Sequence, residues 1–143
     1  MVSARRRARE RRRAREFEAF TAGAAGRLLH AATLLTGERA AAERLLEASL
    51  ATTYADWFRM GAEDPYARTR QELTSRFARS AWRYRHPRGG PLDRLAPSER
   101  LALVLRLYEG VGEEAAAAQL GVPAERVRTL CLHAVATLRS TAP

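Results

Sequence analysis

The stretch "AAAAQLGVPAERVRTL", residues 115–130, reads as an Ala-rich helix that breaks at Gly121-Val122-Pro123 and restarts at once. Two arrangements fit such a break. One is a plain helical hairpin with a Gly-Pro turn. The other is a helix-turn-helix, whose corner sets the second helix at a steep angle so that its outer side chains can enter a DNA groove. The second arrangement needs a small residue where the helices cross, a turn residue that tolerates positive φ, and an apolar residue facing back into the crossing. Ala117, Gly121 and Val127 meet these needs in order, with Leu120, Val122 and Leu130 supplying the apolar positions around them. Pro123 fixes φ next to the start of the restarting helix. A hairpin does not need all three at once, so the spacing favours the helix-turn-helix. On the second helix, Arg126, Arg128, Thr129 and His133 then face outward, and Arg can pair with guanine through two parallel hydrogen bonds. The competing reading is that Arg126 and Arg128 are merely solvated.

Upstream of this corner the sequence predicts further helices. Pro97 and Ser98 open one through Leu101, Leu105 and Tyr108, ended by Gly110, and a short helix near 112–120 leads into the break. The last helix runs from about 124 to 139. Before them, "HPRGGP", residues 86–91, cannot continue a helix and reads as a linker. Phe17, Phe20, Ala24, Leu28, Ala31 and Leu35 recur at helical spacing up to Thr36-Gly37, where Gly37 suits a helix C-terminus. Leu45, Leu46, Leu50, Tyr54 and Trp57 mark a second helix. Asp64-Pro65 reads as an N-cap followed by Pro at the first helical position, opening a third helix to about Tyr84 with Leu73, Phe77 and Ala81 inward. The expected fold is therefore all-α. An Arg-rich tail, 1–16, precedes a three-helix domain, 17–85; the linker 86–91 joins it to a helix-turn-helix domain, 92–143.

Composition narrows the function. All 25 basic residues are Arg, against 16 acids, for a net charge of +9. Arg suits phosphates and guanine edges, although a codon bias gives the same count. The charge is uneven: residues 5–16, "RRRARERRRARE", hold eight Arg and two Glu, whereas residues 92–143 hold six of each sign. An anionic partner should meet the front and middle of the chain rather than its end. The run at 5–16 is expected to be a solvated tail or a fraying helix extension, with a non-specific nucleic-acid contact as the sharper alternative. One cysteine, Cys131, allows no internal disulfide and fits a reducing, cytoplasmic setting. His30, His86 and His133 show no metal-ligand spacing with Cys131 or the acids, and no Gly-rich phosphate loop follows a strand, so no enzyme, metal or cofactor is expected. Cys131 reads as a packing thiol rather than a nucleophile.

A second chemical signal lies in "RFARSAWRYRHPR", residues 76–88, with Arg76, Arg79, Arg83, Arg85 and Arg88 and no acid. Such a stripe suits phosphates, and the interleaved aromatics suit unpaired bases if they are exposed. Phe77 reads as core; for Trp82 the core and surface readings stand level.

Over residues 17–139 the chain resembles the extracytoplasmic-function sigma factors of bacterial RNA polymerase, in particular their sigma-E-like actinobacterial branch, as a divergent member. "AATLLTGERAAAERLLEASLATTYADW" is similar to that family's region two, "SRFARSAWRYR" to its basic-aromatic stretch, and "LAPSERLALVLRLYEG" with "AAAAQLGVPAERVRTLCLHAVATLR" to its region four. The resemblance implies promoter DNA and core RNA polymerase as partners and an anti-sigma factor as a further one; no apolar run approaches 18 residues, so no membrane insertion is expected. It places Arg76, Arg79, Trp82, Arg83 and Arg85 at the −10 element and Arg126, Arg128, Thr129 and His133 at the −35 element. Glu43, Leu46, Glu47 and Leu50 fall on the helix that grips the polymerase clamp. That helix usually reads Asp-Ala-Glu-Asp-Leu-Val-Gln-Glu in the family; here Ala41, Arg44 and Ala48 replace three acids and Glu47 adds one. His133 stands where the family usually has Arg. The five linker residues from Pro87 to Pro91 span at most about 18 Å, while the two promoter elements lie more than one DNA turn of about 34 Å apart. Two other functions are compatible with the residues: a sigma-like DNA-binding regulator that no longer engages polymerase, and an interaction module pairing with a sigma or anti-sigma factor.

Overall fold

The structure is a computed structural model and describes residues 3–140. Among these residues there are six α-helices and no strand: α1 (Ala4–Thr36), α2 (Arg39–Ala55), α3 (Pro65–Arg79), α4 (Pro97–Leu103), α5 (Glu113–Leu120) and α6 (Ala124–Arg139). The expected all-α class is the observed one. No helix is long and apolar enough to cross a membrane among the described residues.

Local chemistry explains the helix ends. Gly37 closes α1 at φ 81°, and its N–H donates to the Thr33 carbonyl. Asp64 caps α3 by accepting from the Tyr66 N–H, with Pro65 in the first helical position. Glu99 folds back onto α4, where its Oε1 accepts from the Ala96 N–H at 2.8 Å. These are the stop and start signals the sequence carries.

Three elements differ from the expectation. The Arg-rich run takes the helix-extension form rather than the solvated tail, and it is docked rather than frayed: α1 begins at Ala4 behind Ser3, whose side chain accepts from the Arg6 N–H, and continues unbroken to Thr36. The guanidiniums of Arg9 and Arg12 lie over the Phe58 ring, that of Arg13 over Tyr54, and Glu16 accepts from the Trp57 indole. Second, α3 ends at Arg79, and a 3-10 turn (Ala81–Tyr84) follows. In a straight helix Tyr84 would sit about 10 Å along the axis from Phe77. The bend at Ser80 instead lets the two rings stack with centroids 5.1 Å apart. Third, α4 passes into a π-helical stretch (Val104–Tyr108), where the Glu109 N–H donates to the Val104 carbonyl. Such a wide turn re-aims the side chains that follow it, and here the Glu109 carboxylate is directed onto α1 and α3.

The principal core joins the front and back of the chain. Leu28 and Leu35 of α1, Leu46 of α2, and Leu73 and Phe77 of α3 pack with Leu92, Leu95, Leu101 and Ala134. A smaller cluster, including Ala102, Leu105, Ala117, Val127 and Leu130, holds the helix-turn-helix itself. Two buried charges cross between the segments. Arg100, 1% exposed, donates from Nε to the Leu95 carbonyl, from Nη1 to Leu35 and from Nη2 to Tyr84. The Glu109 carboxylate accepts from Arg70, Arg27 and the Tyr66 hydroxyl. Burial, and then the bond to Glu109, pushes the Tyr66 hydroxyl well above its ordinary range, so it stays a donor.

The segment between the halves is ordered by one carboxylate. Asp93 accepts from the backbone N–H groups of Arg88, Gly89 at 2.7 Å and Gly90 at 2.9 Å. Burial alone would raise its pKa; these N–H donors, aided by the Arg100 charge, win and hold it below its ordinary value. Gly37 and Gly90 meet so closely that a Cβ on Gly90 would lie 2.5 Å from the Gly37 Cα. The linker is thereby clasped against the corner between α1 and α2.

Candidate nucleic-acid interface

The helix-turn-helix is built as its steric rules require. Gly121 lies at φ 69° and ψ 34°, the left-handed conformation, and its N–H donates to the Ala117 carbonyl, which also accepts from Val122. Ala117 and Val127 are both buried where α5 and α6 meet. Val127, Leu130 and Ala134 form the inward face of α6. Burying that face leaves Arg126, Arg128, Thr129 and His133 exposed.

These four outward residues differ in readiness. Arg126 makes no ion pair among the described residues. Arg128 donates to Glu113 at the start of α5, at 2.8 Å, and Thr129 to the Glu125 carbonyl within its own helix. His133 pairs with Glu99. Burial would raise the Glu99 carboxyl, but His133, the Ala96 N–H and the Arg126 charge pull it below its ordinary value. Cys131 is half-buried against the smaller cluster, and that burial pushes its thiol up, away from the reactive thiolate.

The basic-aromatic stretch forms a second surface. Arg76, Arg79 and Arg83 line an open cleft between α2 and the end of α3, together with Ala41, Leu45, Ala48 and Tyr84. Two further guanidiniums complete it, Arg44 and Arg88. Glu72 pairs with Arg76 at 2.8 Å, and Glu38 pairs with Arg88 at 3.3 Å and Arg44 at 3.9 Å, so the cleft keeps a basic excess. Phe77 and Tyr84 are buried, whereas Trp82 is 63% exposed beneath the Arg83 guanidinium. Trp82 is thus the one interleaved ring left as a stacking platform. Arg85 is exposed but does not line the cleft.

Residues 92–140 match the sigma-70, region 4 family. The match covers the C-terminal third of the chain and includes α4, α5 and α6. No curated protein and no solved structure matches the sequence. The segment is a sigma-factor-like DNA-binding region 4, with α5 and α6 as its helix-turn-helix.

Outside region 4, the four residues assigned by resemblance to the polymerase clamp are divided by their environment. Leu46 belongs to the core at 7% exposure, and Leu50 packs partly against it. Glu43 is exposed and paired with Arg39 at 2.9 Å; Glu47 is exposed and makes no ion pair among the described residues.

Sequence reasoning left Arg44 out of the basic site, and it placed Arg88 in the basic stretch without carrying it to the −10 element. Arg88 follows a proline and lies outside any helical register, so periodicity could not place it. Arg44 sits on another helix, where the family comparison counts it only as a lost acid. The one available signal was its spacing from Leu45 and Ala48, which puts it beside the helix face that α3 covers.

Proposed function

We propose that this protein is an RNA polymerase sigma factor of the extracytoplasmic-function type, with region 4 recognising duplex promoter DNA. The observation that carries the reading is the exposure of Arg126, Arg128 and Thr129 on the first two turns of α6, in a segment matching sigma-70, region 4. In that geometry the start of α6 enters the major groove. Arg126 and Arg128 present paired donors to guanine edges, and Thr129 offers a hydroxyl and a methyl group. The basic cleft around Arg76, Arg79 and Arg83 holds the backbone of the −10 strand, and exposed Trp82 stacks on an unpaired base. Glu43 and Glu47 provide the acidic contact to the polymerase clamp. Run-off transcription with purified core polymerase tests this. A promoter-dependent transcript that disappears in the Arg126→Ala/Arg128→Ala variant is expected; no transcript with any promoter template would overturn it.

A second reading is favoured by one specific observation. Buried Arg100 and Glu109 tie the front segment to region 4 in one core, and the linker residues Pro87 to Pro91 reach at most about 18 Å. A sigma-like regulator that binds one duplex site and does not engage polymerase needs no separation of the segments. Failure of the tagged chain to retain core polymerase, together with salt-sensitive duplex binding, selects this reading.

A further inference from the structure

We infer that the first turns of α1, from Ala4 to Glu16, form a second nucleic-acid contact that grips the phosphate backbone of duplex DNA without reading its sequence. Thirteen residues of α-helix extend about 20 Å. Over that length Arg7, Arg11 and Arg15 recur every fourth residue, forming a row spaced about 6 Å apart. All three are exposed. Arg9, Arg12 and Arg13 occupy the other side, held over the rings of Phe58 and Tyr54. The helix is therefore pinned by one set of arginines while another is presented outward.

The charge balance at this site points to a polyanion. Glu10 is paired with Arg13, and Glu16 lies 4.0 Å from Arg12. Among the described residues, Arg5, Arg6, Arg11 and Arg15 make no ion pair. Arg5, Arg6, Arg9 and Arg13 also share an open cleft with Arg59, where Glu10 is the single acid lining it. Like charges four residues apart destabilise a helix. Here the Ser3 cap and the aromatic docking of Phe17 and Phe20 against Trp57 hold it nonetheless. Phosphates neutralise such a row and release counterions.

The same geometry selects duplex over single strands. Binding of unpaired bases relies on exposed rings. Phe17, Phe20, Tyr54, Trp57 and Phe58 are instead half-buried, packed on one another or covered by guanidiniums. What remains outward is the Arg row with small alanines between, and no ring. This contact is separate from α6 and does not depend on the function proposed for it.

The test is a fluorescence-anisotropy titration of the full chain against two labelled duplexes of unrelated sequence across a salt series. Arg7→Gln/Arg11→Gln/Arg15→Gln should weaken both duplexes by the same factor, roughly tenfold or more near 0.1 M salt. It should also flatten the log–log salt slope by about 2 to 3, given nearly one counterion per phosphate contact. The Lys replacement at the same three positions keeps the charge and should keep the slope. Arg126→Gln/Arg128→Gln, by contrast, should reduce discrimination between duplexes and leave most of the slope in place. An unchanged slope in the Gln variant overturns the α1 contact whatever α6 does. So does slope loss in the Lys variant, or displacement of the duplex by an equal concentration of single strand. If only the α6 variant is without effect, the α6 assignment fails and the α1 contact stands.

Discussion

Glu109 Oε1 accepts from Arg70 Nη1 at 3.2 Å, with the carboxylate side chain only 1% exposed and the two residues on opposite sides of the linker. Arg27 and the Tyr66 hydroxyl complete the shell around this carboxylate. A buried acid at the end of a π-helical stretch thus bolts region 4 onto α1 and α3.

Removing that carboxylate leaves the part-buried Arg70 without its partner. Glu109→Ala should therefore cost about 3 kcal/mol in stability, read by urea denaturation of the full chain. Glu109→Gln should cost less because it retains an acceptor for Tyr66. A loss below about 0.5 kcal/mol, the size usual for an exposed pair, would show that the bolt contributes nothing.

Two glycines share a backbone conformation but differ in surroundings. Gly37 (φ 81°) faces the Asp93 carboxylate so closely that a Cβ would collide with it, whereas Gly121 (φ 69°) has open space. Gly121→Ala should cost about 1 to 2 kcal/mol from left-handed strain alone. Gly37→Ala should cost more, since it adds displacement of the linker. Equal thermal shifts for the two variants would count against the clasp between Gly37 and Asp93.

Asp93 predicts a pH signature. Its carboxyl is held below its ordinary value of 3.8 in the folded chain. The ionised form is therefore favoured by folding. Its contribution is full above that ordinary value and is lost as the pH falls through it toward the folded pKa. Asp93→Asn removes this linkage, so the stability gap between wild type and variant should shrink as the pH falls from about 6 to 3. A gap independent of pH would mean that the three N–H donors act only as a neutral turn.

On the proposed function, the Arg128–Glu113 pair competes with DNA for the same guanidinium. Glu113→Gln frees Arg128 and removes a negative charge near the groove. It should tighten duplex binding about two- to fivefold, the scale of an exposed ion pair. Arg126→Ala should weaken a preferred duplex by about 1 to 3 kcal/mol relative to an unrelated one. Titration of both variants against both duplexes checks this, and equal loss on the two sequences would assign Arg126 to the backbone instead.

Short-range signals in the sequence were enough for the helices that close with local chemistry. Gly37, Asp64-Pro65 and Gly121 act through their own φ angles and nearest backbone groups, so their roles could be read before any tertiary contact was known. Ala117 and Val127 were legible from their spacing on either side of Gly121, which already defined which face of α6 points out. The Arg-rich run was not, because a charge block lacks the apolar periodicity that announces a packed helix. Its order comes from Tyr54, Trp57 and Phe58, more than forty residues away.

Local sequence thus determined the all-α class, the helix-turn-helix corner and the outward set Arg126, Arg128, Thr129 and His133, since turn φ and helical periodicity are written in short stretches of chain. Tertiary structure alone decided that α3 bends at Ser80, that Arg44 joins the basic cleft, and that Arg100 and Glu109 fasten the two segments together. Those features depend on burial and on long-range partners: a charge enters the interior only where distant carbonyls or counter-charges receive it.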